Sequence, residues 1–476
     1  MNVFWGGITV TGYVLTLVLI PWVILRRKSA PVSTVAWIMV IIILPYIGGL
    51  LFLVFGVNRA ERRASEKQEA TRVIGKKLPE LRQYQFLPSE SRNPQHARLM
   101  RLATQIGDTL PTVGNRIELL VDTNRALGLI EQAILSARET LHLEYYIWQP
   151  DRTGTRIRDL LIRKAKEGVV VRFLYDGIGS LHLSKKFLQP MRDAGIHVAS
   201  FLPGKSWRRR WSLNLRNHRK IVIVDGRVGF TGGMNIGDEY HGRNRHIGYW
   251  RDTHLKLLGP TVLQLQQVFA EDWYFATDEI LLQPETCPPT EESGNLIAQV
   301  LSGQPAGDVY VFHALLFAAI NEAQKRVTLS TSYFVPPEPL VMALETAAYR
   351  GVRVRLLLAG RSAYHWTVLA GRSYYEPLLK AGVEIFEYER GLLHAKTLTV
   401  DGNWSLVGTP NFDVRSLMLN FEVAVAVYDS KFTDQLDEQV ARDVQLSKRI
   451  ELAKFSQRSI VRVLGENVCR LFAPVL

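Results

Sequence analysis

The sequence predicts an α/β protein built from two duplicated halves related by a pseudo-twofold axis, preceded by two N-terminal transmembrane helices. Three observations predict it. A long-period repeat occupies the chain from about residue 112 to its end, within 476 residues. Each copy alternates helical patterns with short Val/Ile/Leu runs, as in strands covered on both faces. The N-terminus holds two uncharged apolar stretches, 1–25 and 29–57, separated by Arg26-Arg27-Lys28.

The apolar stretches come first. Residues 4–25 make about 33 Å of helix, enough to cross a hydrocarbon core, and 33–57 are similar. A cleaved signal peptide is a poor fit, because its leading region should be positive and this one carries no Lys or Arg. Residues 1–58 therefore read as a transmembrane hairpin, with helices over about 4–25 and 33–57. The short loop carries three positive charges. The segment beyond it carries Arg59, Arg62, Arg63, Lys67, Arg72, Lys76 and Lys77. The larger cluster places the following domain on the cytoplasmic side of the membrane, as a multi-pass protein. Residues 59–111, with Pro79, Pro88, Pro94 and Pro111, read as a basic juxtamembrane helix and an irregular linker.

Composition bounds the rest. A 47% hydrophobic and 22% charged chain is globular rather than disordered. Two cysteines, Cys287 and Cys469, exclude a disulfide framework and a Cys-rich zinc site. With Lys plus Arg at 58 and Asp plus Glu at 45, the formal charge of +13 favours an anionic partner.

The halves are read as 112–287 and 288–476. GVVVRFLYDG (168–177), DAGIHVASF (193–201) and NHRKIVIVDGRVGFTGGMN (217–235) recur as GVRVRLLLAG (351–360), KAGVEIFEY (380–388) and LHAKTLTVDGNWSLVGTPN (393–411). His218 to His394, Lys220 to Lys396, Asp225 to Asp401 and Asn235 to Asn411 share an offset of 176, while Gly195 to Gly382 is 187. The first half thus carries 11 extra residues just before His218, including SWRRRWS at 206–212. Aromatic anchors beside three Arg suit an anionic lipid surface.

In a strand, positions i and i+2 share a face, so His218 and Lys220 project together, as do His394 and Lys396. A Gly-rich turn then delivers Asn235 or Asn411. Two halves packed about a pseudo-twofold axis would gather two His, two Lys and two Asn in one anion pocket. Ammonium and amide donors would neutralise a phosphodiester's oxygens. One imidazole can attack phosphorus and the other can carry the proton, if their environments push their pKa values apart. Each His needs a carboxylate to fix its tautomer, and Asp252 and Glu422, in predicted strands, are the candidates. Asp225 and Asp401 complete the catalytic motif, although each sits in an Asp-Gly turn that points to a structural role.

These residues resemble the phospholipase D superfamily, marked by a paired HxKxxxxD motif. The strings WRDTHLKLLGPTV, EDWYFAT, TSYFVPPE and NFDVRSLMLNFE are similar to bacterial cardiolipin synthases. The resemblance covers about 112–476. It implies two α/β halves with the active site between them, and transfer of a phosphatidyl group from one phosphatidylglycerol to another. It implies His218 as nucleophile and His394 as acid/base, with Glu422 supporting His218 and Asp252 supporting His394 across the halves. It implies no metal and no other cofactor, and a membrane-embedded chain acting on phosphatidylglycerol and anionic lipid rather than nucleic acid. The Ser often found after the turn Gly is Gly233 in one half and Thr409 in the other. With Asn235 and Asn411, these two positions are expected to bind phosphate, Gly233 through its backbone N–H. A hydrolase making phosphatidic acid, a nuclease and a non-catalytic lipid-binding scaffold are the rival readings. The C-terminal VCRLFAPVL fits either membrane docking or packing against the domain.

Overall fold

In the computed structural model, which describes residues 2–26, 31–52, 79–107, 109–201, 215–242, 248–281, 286–305, 309–362 and 364–472, the repeated apolar runs are strands. The chain divides into two units, Met1–Arg63 and Ala64–Leu476.

In the first unit, the helix Asn2–Arg26 is followed by Pro31–Ile43 and Pro45–Leu51. The second apolar stretch is not one helix. Leu44 leaves the helical region at φ −130°, ψ 72°, as the residue before a proline is disfavoured there. Among the described residues no helix is long and apolar enough to cross a membrane, so the expected pair of transmembrane helices is not found as such. The helices close on Leu19, Val23, Ile41 and Phe52, with Trp22 and Trp37 edge-on to Phe52 at 5.4 and 5.5 Å. Gly48 permits close approach, since a Cβ there would fall 2.4 Å from the Val40 carbonyl oxygen. Tyr13, Leu17, Val18, Ile43 and Leu50 face outward. The basic residues of 59–77 and the 206–212 insert lie outside the described residues.

The second unit is organised by one 16-stranded sheet. From one edge, the first half contributes His197–Phe201, Val170–Asp176, Thr140–Tyr145, Lys220–Val224, Val228–Gly232, His254–Leu258 and Thr112–Leu120. The second half continues with Leu296–Gly303, Asn420–Val427, Trp404–Gly408, Thr397–Val400, Arg326–Thr331, Arg353–Ala359 and Glu384–Tyr388, and Ser447–Arg449 closes that edge. Equivalent strands appear in reversed order. The halves meet where Thr112–Leu120 pairs antiparallel with Leu296–Gly303. That is the arrangement a twofold axis between two copies of one unit requires, and it gives the duplicated α/β fold expected from the repeat.

The core is filled by clusters that include Leu127, Ile157, Phe173 and Met191 in the first half and Leu315, Leu344, Leu356 and Leu378 in the second. Part of the expected linker belongs to this core. Pro94–Gly107 is a helix whose Leu99, Met100 and Ala103 are buried against the second half. Pro94 does not break it, because proline is tolerated in the first turn. Asn93 Oδ1 accepts from the backbone N–H groups of Gln95 and His96 as its cap.

Candidate active site

Each motif begins at the point where one half borrows a strand from the other. Arg216–Asn217 pairs in parallel with Asn420–Phe421, and the His218 N–H donates to the Phe421 carbonyl at 2.9 Å. In the same way Leu392–Leu393 pairs with Trp250–Arg251, and the His394 N–H donates to the Arg251 carbonyl at 2.7 Å. These two-residue stitches set Glu422 beside His218 and Asp252 beside His394. Glu422 Oε2 lies 2.9 Å from His218 Nδ1, and Asp252 Oδ2 lies 2.6 Å from His394 Nδ1. Both carboxylates are fully buried and are held below the usual carboxylate range by the histidine and lysine charges around them, which outweigh the opposing effect of burial. A carboxylate on Nδ1 fixes the proton there and leaves Nε2 as the reactive nitrogen.

The lysines lie beneath the rings. Lys220 Nζ donates to the His218 carbonyl at 2.5 Å, and Lys396 Nζ to the His394 carbonyl and to Ser332 Oγ. Burial pushes the Lys396 ammonium down to about 8, and burial and the nearby Lys396 also lower Lys220. Each lysine also acts electrostatically on the histidine of the opposite half, so the two motifs share one field. The expected separation of the two imidazoles does not come from the protein's own groups. Both rings are pushed down to about 4, chiefly by burial, because the repeat gives each the same surroundings of one carboxylate and two lysines.

Other predicted residues take different places. Asp225 and Asp401 are not in the pocket. Each follows a strand that runs away from its lysine, at φ 51° and 53° in the Asp-Gly turn. The Asp225 carboxylate accepts from the N–H groups of Arg138, Glu139 and Thr140, and that of Asp401 from Gln324, Lys325 and Arg326. They tie the hairpin to the start of the neighbouring strand. Asn235 is committed to structure, with Oδ1 accepting from the Ile147 N–H and Nδ2 donating to Tyr240 Oη. Asn411 is buried, and its Oδ1 lacks a hydrogen-bond partner.

The two turn positions lie against the carboxylates. Thr409 Oγ1 donates to Glu422 Oε2 at 2.5 Å. The Gly233 N–H is spent on the Thr253 carbonyl, so it offers nothing to a phosphate. A Cβ on Gly233 would stand 2.0 Å from Asp252 Oδ1, an oxygen already held by the Thr253 N–H. Gly232 pairs with His254 and Gly408 with Ala424, so Asp252 and Glu422 occupy equivalent positions. One half uses the shorter acid with glycine, the other the longer acid with threonine. Gly233→Ser is therefore expected to displace Asp252 and lower turnover about 10²-fold. Adding Asp252→Glu should recover part of the loss, as steady-state assays of the single and double variants will show.

Several contributors escape motif reading. Tyr146 packs its ring 4.9 Å from His218 and carries Lys220 Nζ 5.2 Å over its face. Tyr240 Oη lies 3.4 Å from His394 Nδ1, and the Trp250 ring 5.3 Å from His394. Arg219, between His218 and Lys220, is fully buried against Asp272 and donates to the Glu422 and Gly303 carbonyls, whereas its counterpart is Ala395. The sheet register makes Ser332, which holds Lys396, the counterpart of Tyr146, so the repeat carries no signal for this tyrosine.

The family model described as the cardiolipin synthase, PLD-like domain matches residues 130–273 and 316–444, and a phospholipase D-nuclease N-terminal model matches 14–56. Cardiolipin synthase 1 of Bacillus cereus is 37% identical over 471 residues, covering 97% of this chain and 92% of that protein. The chain belongs to the phospholipase D-like cardiolipin synthase family. Cardiolipin synthase 2 of Bacillus anthracis is 38% identical, with 96% of this chain and 90% of the relative covered. Among solved structures, phosphatidylserine synthase of Haemophilus influenzae superposes with a TM-score of 0.60 at 15% identity. It covers 79% of this chain and 98% of that one, a likeness of fold. In this cardiolipin synthase family member, both HxK pairs lie inside the two matched segments.

Proposed function

We propose that the chain is a cardiolipin synthase that transfers a phosphatidyl group from one phosphatidylglycerol to another, releasing glycerol, through a phosphohistidine on His218. The observation that carries the reading is the crossed pairing of each motif histidine with a carboxylate from the opposite half. His218 Nε2 attacks phosphorus, and the bond from phosphorus to the glycerol oxygen breaks. His394 Nε2 gives its proton to that oxygen. The primary hydroxyl of a second phosphatidylglycerol then returns a proton to His394 and attacks phosphorus, and the phosphorus–nitrogen bond breaks. Lys220, Lys396 and Asn411 hold the nonbridging oxygens as charge grows on them. The phosphodiester itself supplies the asymmetry that the pocket lacks, since its negative charge favours the imidazolium form of one ring.

The anchor of this reading is the N-terminal unit. Its outward Tyr13, Leu17, Val18, Ile43 and Leu50 suit lipid rather than water. We place the chain at the bacterial inner membrane with the larger unit on the cytoplasmic side, following the basic residues after position 58. Protease protection in sealed inverted vesicles tests this placement, and protection of the larger unit contradicts it.

Product analysis tests the reaction. Purified protein is given phosphatidylglycerol in mild detergent with a chelator present, and the lipids are resolved. Cardiolipin with equimolar glycerol supports transfer without a metal. Phosphatidic acid alone means that water takes the acceptor's place and the chain is a hydrolase. The alkaline limb of the rate profile follows from Lys396. Its charged form prevails below about 8, so kcat should fall as pH rises through that value. A rate that stays level to pH 10 would remove the ammonium from the mechanism.

A further inference from the structure

The C-terminal helix Ile460–Leu471 has two unlike sides. At 100° per residue, Ile460, Val461, Leu464, Val468, Leu471 and the following Phe472 fall within one arc of about 120°. They are 84%, 76%, 63%, 44%, 76% and 59% exposed. The other side is fixed to the protein. Glu466 is buried and paired with Arg458 and Arg462, and Val463, Glu466 and Asn467 line a cleft with Ser373 and Glu376. The helix is thus held in place with its apolar arc turned outward.

The helix also has a neighbour close to the active site. The C-terminal helix packs against His365–Arg372, at whose start Tyr364 and Trp366 are 57% and 55% exposed with their rings stacked at 6.1 Å. The chain reaches these residues from Arg353–Ala359, which pairs with Arg326–Thr331, the strand leading to the Ser332 that holds Lys396. Tyr364 also lies close enough to Tyr146 and Tyr333 to influence both phenols. Two exposed basic side chains accompany the arc, Arg462 (50%) on the helix itself and Lys454 (82%) on the preceding Leu452–Phe455, paired with Glu466 and Glu451 respectively. Apolar arc, stacked aromatics and adjoining cations form the pattern of a helix lying in a bilayer interface.

We propose that Ile460–Leu471, together with Tyr364 and Trp366, docks flat on an anionic phospholipid bilayer and holds the site's mouth against the lipid surface. This rests on the cardiolipin synthase reading, in which both substrates reside in a membrane. It assigns the larger unit a lipid contact separate from the N-terminal helices.

The test uses the full chain reconstituted in vesicles of phosphatidylglycerol and phosphatidylcholine. Leu464→Cys in a Cys469→Ser background carries an environment-sensitive fluorophore, with Glu438→Cys in the same background as the reference. The expected result is a blue-shifted Leu464 label quenched by nitroxide lipids, with the Glu438 label unaffected. A Leu464 label as wet as the reference overturns the proposal. So does a shielded label that lipid quenchers leave alone while energy transfer reports a second copy. In parallel, the triple variant Val461→Ser, Leu464→Ser, Leu471→Ser should turn over vesicle substrate at least tenfold more slowly and detergent-dispersed phosphatidylglycerol normally. Equal vesicle turnover contradicts docking. A wild-type chain making no cardiolipin in either format defeats the functional reading instead, while the quenching still reports on docking.

Discussion

Replacing His218 with alanine is expected to lower cardiolipin formation by about 10⁴–10⁶-fold, since loss of a catalytic nucleophile removes the whole covalent route. His394→Ala should cost less, about 10²–10⁴-fold, because it removes proton transfer and leaves the nucleophile in place. The two losses differ in kind as well as size. Glycerol is a poor leaving group that needs His394's proton, whereas p-nitrophenol leaves without help. A phosphatidyl p-nitrophenyl ester should therefore release its phenol in His394→Ala at close to the wild-type rate and should not in His218→Ala. Stopped-flow absorbance measures this directly. Equal rescue of both variants, or of neither, would mean that the two histidines do not divide the work in this way.

The second large effect concerns the carboxylates. Glu422→Gln and Asp252→Asn are each expected to lower kcat by about 10³–10⁴-fold with little change in KM. The amide keeps the shape, but it permits the wrong imidazole tautomer and removes the charge that stabilises imidazolium. Each substitution should act on the histidine of the opposite half. Glu422→Gln should then slow phenol release from the activated ester, a step that depends on His218. Asp252→Asn should spare that step and slow transfer from phosphatidylglycerol. Thr409→Val, which removes a donor to Glu422 and keeps the shape, should follow the Glu422 pattern with a smaller loss of about tenfold. Exchanged patterns for Glu422 and Asp252 would contradict the crossed pairing.

How much of this was legible in the sequence depended on what the repeat could carry. Repeated strings at offsets of 183, 187 and 176 located the strands, the HxK pairs and the Asp-Gly hairpins, because these are local patterns copied twice. Topology was legible for the same reason, since a duplicated unit packs about a twofold axis. Lengths of side chains were not. Gly233 and Thr409 read as phosphate contacts, yet the sheet register puts them against Asp252 and Glu422, and the acid's length decides which residue fits. Asn235 fails in a similar way, its amide being taken by Ile147 and Tyr240 from outside the motif. Equal burial of the two imidazoles follows from the symmetry, but the size of its effect needs the packed structure. The helix Pro94–Gly107 was missed because proline marks either a break or a first turn, and only the Asn93 cap and the buried Leu99 distinguish them. The division at Pro45 shows the opposite case, where a continuous apolar stretch concealed a turn.

The central claim is that the two halves form one site in which His218 carries the phosphatidyl group. The His394→Ala variant, mixed with an activated phosphatidyl ester labelled at phosphorus, should accumulate a covalent adduct because the second step still needs a base. After an alkaline quench that preserves phosphoramidates, proteolysis and mass spectrometry should place the label on the peptide containing His218. Label on another residue, or no covalent label while phenol is released in a burst, would contradict the account.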